Sequence, residues 1–236
     1  MKRFWERATV VAEEDGGFSV RLDGRPVRLP GGAPLRVARP PLAEAVAEEW
    51  NAAGGGARGG ALRMEEVPIT RLLGTAQERI APDPAPMVEG LAKYGETDLL
   101  CYRADDPRLA GEQAAAWQPV LDWLALQHDA PLRVTQGVMP VAQAPESLAA
   151  LRRAVSAHGA EELAALGMAV PALGSLALGL ALSAGRIGAE EAHRLSVLDE
   201  LFQERLWGVD DEAARRRERI AAEVALAARF LALARA

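Results

Sequence analysis

Apolar and polar residues alternate with a period of two over Phe18-Ser19-Val20-Arg21-Leu22, the pattern of a strand with one buried face. Thr9-Val10-Val11 before it is a second short extended run, with Gly16-Gly17 as the turn between them. Asp23-Gly24 is a two-residue hairpin signal, because both positions accept a positive φ, and Pro26 to Leu29 returns as the partner strand. Gly31-Gly32 turns again before a short strand over Leu35-Arg36-Val37. At Pro41 the period changes. Leu42, Ala45, Val46, Glu49 and Trp50 follow helical spacing, with proline at the start, where its missing N–H costs nothing. Met64 to Pro68 predicts one more extended piece.

Beyond the prolines at 82, 84 and 86 the pattern is helical. Helices are predicted over Met87–Tyr94, Gly111–Gln127, Pro145–Ala157, Ala189–Trp207 and Asp210–Ala234. In the second of these Ala114, Trp117, Leu121, Leu124 and Ala125 form one apolar stripe. Leu99 to Tyr102 fits a strand or a helix end equally well, and Leu132 to Thr135 reads as an extended link. The order predicts an α+β protein: a small β-rich N-terminal domain over residues 1–75, with one helix near 41–52, and a larger all-helical C-terminal domain over 76–236.

Composition narrows the classes. A chain of 236 residues with half its residues hydrophobic supports a full core without staples, and its single cysteine, Cys101, excludes an internal disulfide framework. A net charge of −6 argues against general nucleic-acid binding. The basic start, Met1-Lys2-Arg3, leads into no apolar run, so neither a signal peptide nor a transit segment is read here, and a bacterial cytoplasmic protein is expected. Leu163 to Gly185 carries no charge and is long enough to span a bilayer. Pro171, Gly174 and Gly179 interrupt it and no aromatic belt marks its edges, so it predicts a buried pair of helices and no membrane span.

Catalytic chemistry is sparse. His128, His158 and His193 stand in no metal-ligand spacing, and Cys101 lies in an apolar run, as an inert buried thiol would. The glycines at 54–60 lack the Lys-Ser/Thr pair of a phosphate loop and read as a solvated linker. Arg215, Arg216, Arg217 and Arg219 alternate with glutamates on one helix and read as a solvated, ion-paired face. No cofactor and no metal are expected.

The helix that ends at Gly208 differs. Leu195, Leu198, Phe202 and Leu206 make a core-facing stripe. Asp199, Gln203 and Trp207 share another face at i, i+4 and i+8, with Glu200 and Glu204 beside them. Six acids between Leu195 and Glu212 face Arg205 alone. An acidic face bearing a tryptophan is the composition of a protein-recognition surface, and equally that of a solvated face whose Trp207 folds into the core. As an alternative, Asp199, Glu200 and Glu204 would supply acid–base groups to a small-molecule enzyme.

A series of segments then resembles the family of assembly chaperones of the F-type ATP synthase that bind the α subunit of its catalytic sector, the ATP-twelve family. They are Arg3-Phe4-Trp5, Gly16 to Val27, Leu42 to Trp50, Pro68-Ile69-Thr70-Arg71-Leu72, Tyr94 to Arg103, Trp117-Gln118-Pro119, Gly137-Val138-Met139, and Leu198-Asp199-Glu200 through Gln203 to Trp207-Gly208. The glycines at 54–60, Pro171 and Phe202 depart from the family pattern. The resemblance implies a chaperone without catalysis, a β-rich N-terminal and a helical C-terminal domain, and a client, the free α subunit, shielded where the β subunit later binds. It carries partner binding to Asp199, Glu200, Gln203, Glu204, Trp207 and Gly208, Glu200 foremost; Trp50 is also a family position, and its large apolar side chain reads as core.

Overall fold

The computed structural model describes residues 2–14 and 16–236. Strands β1 (Ala8–Ala12), β2 (Phe18–Leu22) and β3 (Arg25–Pro26) form an antiparallel sheet in that order. Val10 faces Val20, and the Asp23-Gly24 turn holds both residues at positive φ, as its sequence requires. The return strand pairs only over β3. Past it the chain continues through single bridges, Arg28 with Pro34 and Val37 with Phe18. Helix α1 (Pro40–Ala52) packs Leu42, Val46 and Trp50 against the sheet, and α2 (Pro68–Thr75) runs on into one π turn ending at Ile80. The expected extended piece at Met64–Pro68 is instead a 3₁₀ turn over Met64–Glu66, and Pro68 opens α2. The proline starts a helix there because its missing N–H would have had no partner. Glu49 completes that start: its carboxylate accepts the N–H groups of Ile69 (2.6 Å) and Thr70 (3.0 Å). Trp50 is buried and donates to the Thr70 hydroxyl at 3.0 Å, in the core position expected for it.

The glycines at 54–60 are exposed from Gly55 to Gly59, as a solvated segment would be, but they form an ordered turn rather than a plain linker. Gly54, Gly55, Gly56 and Gly59 all have positive φ and fold the chain around Arg3. Arg3 donates its N–H to the Gly60 carbonyl at 2.9 Å, and Gly59 donates back to the Arg3 carbonyl at 2.8 Å. A Cβ on Gly60 would overlap the Gly54 carbonyl, a rigid backbone neighbour. Gly60→Ala is expected to cost about 1–3 kcal/mol in denaturant unfolding, and an unchanged midpoint would show that the loop does not pack this way.

The second part of the chain is helical. It comprises α3 (Ala85–Ala92), α4 (Pro107–His128), α5 (Pro145–Ser156), α6 (Ala160–Leu173), α7 (Leu176–Ser183), α8 (Ala189–Ser196), α9 (Leu198–Trp207) and α10 (Asp211–Arg235). A two-residue parallel pairing of β4 (Tyr102–Arg103) with β5 (Thr135–Gln136) is its β structure among the described residues. The fold class is α+β, a small N-terminal β region followed by a largely helical C-terminal region. By contacts the chain divides into Met1–Asp83 with Ala160–Ala164 and Arg229–Ala236, and Pro84–Gly159 with Ala165–Ala228; the sequence drew its boundary after residue 75. The uncharged stretch is two helices, α6 and α7, broken at Gly174 (φ 64°). All of α7 is buried, and no helix among the described residues is long and apolar enough to cross a membrane. Leu99–Cys101 is a 3₁₀ turn leading into β4.

Candidate functional site

The single helix expected over Ala189–Trp207 is two. The chain leaves helical geometry at Val197 (φ −110°, ψ 17°), between α8 and α9. The break has a partner on α4: the buried Trp117 indole donates at 2.9 Å to the Leu195 carbonyl, which an unbroken helix would have paired with the N–H four residues on. Two residues past the break, Asp199 accepts from Gln113 Nε2 at 2.8 Å, and the Gln113 amide oxygen accepts the Ala104 N–H at 2.7 Å. Asp199 is thus an internal tie from α9 to α4.

Glu200 and Glu204 are half-buried, and both reach α10. Arg216 pairs with Glu200, while Arg217 lies 3.6 Å from Glu200 Oε2 and hydrogen-bonds Glu204. The Arg217 side chain is 11% exposed. Two carboxylates whose mutual repulsion would cost stability on an isolated helix are therefore held by one nearly buried guanidinium. This corrects one expectation, since the acids face more than Arg205; Arg215, Arg216 and Arg219 are exposed, as the solvated face expected of them, and Arg217 is the member turned in toward α9. Glu200 Oε2 and His193 Nε2 are buried without a hydrogen-bond partner among the described residues. Burial first, and then the Arg217 charge, hold the His193 imidazole below its ordinary value. An acid–base role for Glu200 or Glu204 would begin by breaking these ion pairs.

The other three candidates sit at the end of α9. Gln203 is exposed, and Gly208 (φ 90°) ends the helix by donating its N–H to the Glu204 carbonyl at 2.9 Å. Trp207 is 78% exposed, so it does not fold into the core. Leu206, expected in the core stripe, is 45% exposed, and Val209 is 66% exposed. Leu195, Leu198 and Phe202 are buried as the stripe predicts, and the Phe202 ring lies between the guanidiniums of Arg108 (5.7 Å) and Arg205 (5.3 Å). Asp210 then caps α10, accepting from Glu212 N at 2.8 Å and Ala213 N at 3.0 Å.

The structure thus splits the six sequence candidates. Asp199, Glu200 and Glu204 anchor α9 to α4 and α10. Gln203, Trp207 and Gly208, joined by Leu206 and Val209, form an exposed apolar tip. Between the two sets lies an open groove of about 360 Å³, with Arg217 and Glu204 along it and Trp207 and Val209 at its end. Leu206 and Val209 are the members sequence reasoning missed: Leu206 continues the buried stripe by spacing, and Val209 follows the helix-ending glycine, where periodicity stops.

The remaining reactive side chains are structural. Cys101 is buried, and its thiol is pushed up to about 12, by burial first and then by the Asp98 charge. His158 bridges the Ser183 hydroxyl (2.9 Å) and the Ala154 carbonyl (3.0 Å), and His128 packs edge-on against Trp123. Among the described residues no group of three or more histidine, cysteine, aspartate or glutamate side chains stands close enough to hold a metal ion.

Known proteins similar to this chain cover nearly all of its length. The profile of the family described as ATP12 chaperone protein matches residues 2–125. The crystal structure of Atp12 from Paracoccus denitrificans is similar to this chain at 43% identity and a TM-score of 0.90, over 99% of this chain and 98% of that one. A mutant of P. denitrificans Atp12p, an aspartate replaced by lysine, aligns at 42% identity and a TM-score of 0.91, over 99% and 97% of the two chains. A putative chaperone from Agrobacterium tumefaciens, Atu1473, aligns at 35% identity and a TM-score of 0.88, over 98% of this chain and 84% of that one.

Proposed function

The chain belongs to the ATP12 chaperone family, and on that premise we propose that it assists assembly of the F-type ATP synthase by holding the free α subunit of the catalytic sector. The observation that carries the reading is the apolar tip of α9. A tryptophan 78% exposed, flanked by exposed Leu206 and Val209, is a concentration of apolar surface that a monomer has no reason of its own to keep. The helix beneath it is fixed by Gln113 and Arg217, so the tip is presented without a large ordering cost on binding. An unassembled α subunit exposes the apolar surface that the β subunit later covers, and such surface aggregates. A chaperone that covers it needs no nucleotide cycle. The β subunit displaces it if the final assembly buries more surface than the chaperone does.

The test is co-purification of the α subunit from cells expressing both chains. Trp207→Ala combined with Val209→Ala is expected to lower capture at least tenfold while leaving the thermal midpoint within about 2 °C, because both side chains lie outside the core. Capture of α undiminished by the double substitution would move the contact elsewhere. Failure of the wild type to capture α would remove this client. Glu200→Lys, the substitution the sequence suggests first, is a poor probe: it sets a cation against Arg216 and Arg217 and disturbs the anchoring of α9 along with any contact.

A further inference from the structure

A second surface lies apart from the α9 tip. Ala115, Ala116 and Pro119 on α4 line a groove of about 460 Å³ whose floor is buried Val120, Ile187, Leu195 and Leu198. Ala115 and Pro119 are exposed, so α4 turns small apolar side chains outward here, opposite the face that buries Trp117 and Leu121. Small residues let a further helix come close, and Pro119 has no N–H to give the Ala115 carbonyl, which leaves a backbone acceptor on the groove wall.

The rim is charged. Arg186 and Arg194 are exposed and have no ion-pair or hydrogen-bond partner for their guanidiniums among the described residues. Glu112 also lines the groove but is committed to Arg205 at 2.5 Å. Glu191 is the one rim carboxylate without an ion pair there. With Glu112 held by Arg205, two guanidiniums and one carboxylate remain on the rim, an excess of one positive charge on a chain of net charge −6. All four polar lining side chains lie at the exposed edge and none is buried in the floor, so the site has nothing to orient a small polar ligand.

We propose that this groove between α4 and α8 docks an acidic amphipathic helix of the client, its apolar face on Val120, Ile187, Leu195 and Leu198 and its carboxylates on Arg186 and Arg194. The partner's identity rests on the α-subunit reading; the recognition chemistry does not. Apolar floor and cationic rim are the two halves of helix-in-groove recognition, in which area gives affinity and edge charges set register.

Two measurements separate the claims. The first is fluorescence anisotropy of the whole protein with a labelled Leu/Ala amphipathic helical peptide carrying glutamates along both edges of its apolar face, and with its lysine counterpart. The glutamate peptide is expected to bind at least tenfold more tightly than the lysine one. Arg186→Glu with Arg194→Glu should reverse that order at an unchanged thermal midpoint. Equal binding of both peptides, or a preference the double substitution leaves in place, overturns the proposal whatever the client is. The second places a photo-crosslinking residue at Ala116 in the co-expressed complex. A crosslink to α supports the proposal. Capture of α without a crosslink, and undiminished by the double charge reversal, overturns it while leaving the α-subunit reading intact. Failure of the wild type to capture α removes that client only, and the peptide titration still decides the groove.

Discussion

Asp98→Ala is expected to lower stability by about 3–5 kcal/mol in denaturant unfolding, one of the two largest effects of any single polar substitution in this chain. Asp98 is wholly buried. Its carboxylate accepts the Leu100 N–H at 3.0 Å and the Ser175 hydroxyl at 2.7 Å on one oxygen, and the Ala177 N–H at 3.0 Å on the other. Ser175 passes the connection on, accepting from the Leu178 N–H at 3.0 Å. One side chain therefore caps two helical N-termini, the 3₁₀ turn at Leu99–Cys101 and α7, and joins segments nearly eighty residues apart in sequence. Removing it strands several buried donors at once. A loss below about 1 kcal/mol would mean that water or relaxation satisfies them and that the two caps are independent.

The sign of the pH dependence follows. Burial pushes the Asp98 carboxyl above its ordinary value, although each accepted hydrogen bond pulls the other way. A carboxyl raised in the folded state holds its proton more tightly there than in the unfolded chain. Its contribution is full below the unfolded value and is lost as pH rises through the folded one. Asp98→Asn removes the titration. The stability gap between wild type and this variant should therefore narrow as pH is raised from about 4, measured by urea unfolding at several pH values. A gap that widens instead would place the carboxyl below its ordinary value.

Asp98 also shows what the sequence holds and what it hides. The segment from Tyr94 to Arg103 stands out by resemblance, and the structure gives its physical reasons: Gly95 packs against Leu151 with no room for a Cβ, and Asp98 makes the double cap. Its partners cannot be found by spacing, because Ser175 and Ala177 belong to another helix. Where the determinants are local the sequence is legible. Period-two alternation with Asp23-Gly24 predicts β2 and its turn, and Gly174 separates α6 from α7, whereas Pro171 and Gly179, read as interruptions too, lie inside those helices. The helix break at Val197 is invisible because Leu195, Leu198 and Phe202 keep helical spacing across it; only the Trp117 indole, from α4, shows what the broken carbonyl gains. The acidic face misleads for the same reason. The cations that balance Glu200 and Glu204 lie on the next helix, so a count along α9 finds Arg205 alone. Trp207 sits at a position that spacing assigns equally to core and surface, and only its exposure separates the two.

Arg3→Ala is expected to match the loss at Asp98, about 3–5 kcal/mol, and Arg3→Lys to recover less than half of it. Arg3 is 2% exposed, and its side chain makes no ion pair with a carboxylate among the described residues. Its guanidinium is satisfied by backbone instead. Nη1 lies 3.2 Å from the Trp50 carbonyl, 2.6 Å from that of Asn51 and 2.9 Å from that of Ala53; Nε donates to Trp5 at 3.1 Å and Nη2 to Glu6 at 2.7 Å. The first three are carbonyls at the C-terminal end of α1, where no intrahelical donor remains and the helix dipole is negative. A buried cation is tolerated there because fixed dipoles replace the water it lost. The same backbone carries the glycine turn, so the side chain that caps α1 also sets the path of the loop returning over it. The face of the Trp5 ring, 5.2 Å from the guanidinium, closes the site. A lysine has the charge but not the fork: one ammonium, with three N–H groups, cannot serve the five carbonyls of Trp5, Glu6, Trp50, Asn51 and Ala53 that the guanidinium reaches. The measurement is the urea midpoint of the three proteins side by side. Full recovery by Arg3→Lys would show that charge at the end of α1 is what matters, and that the directed hydrogen bonds add nothing to it.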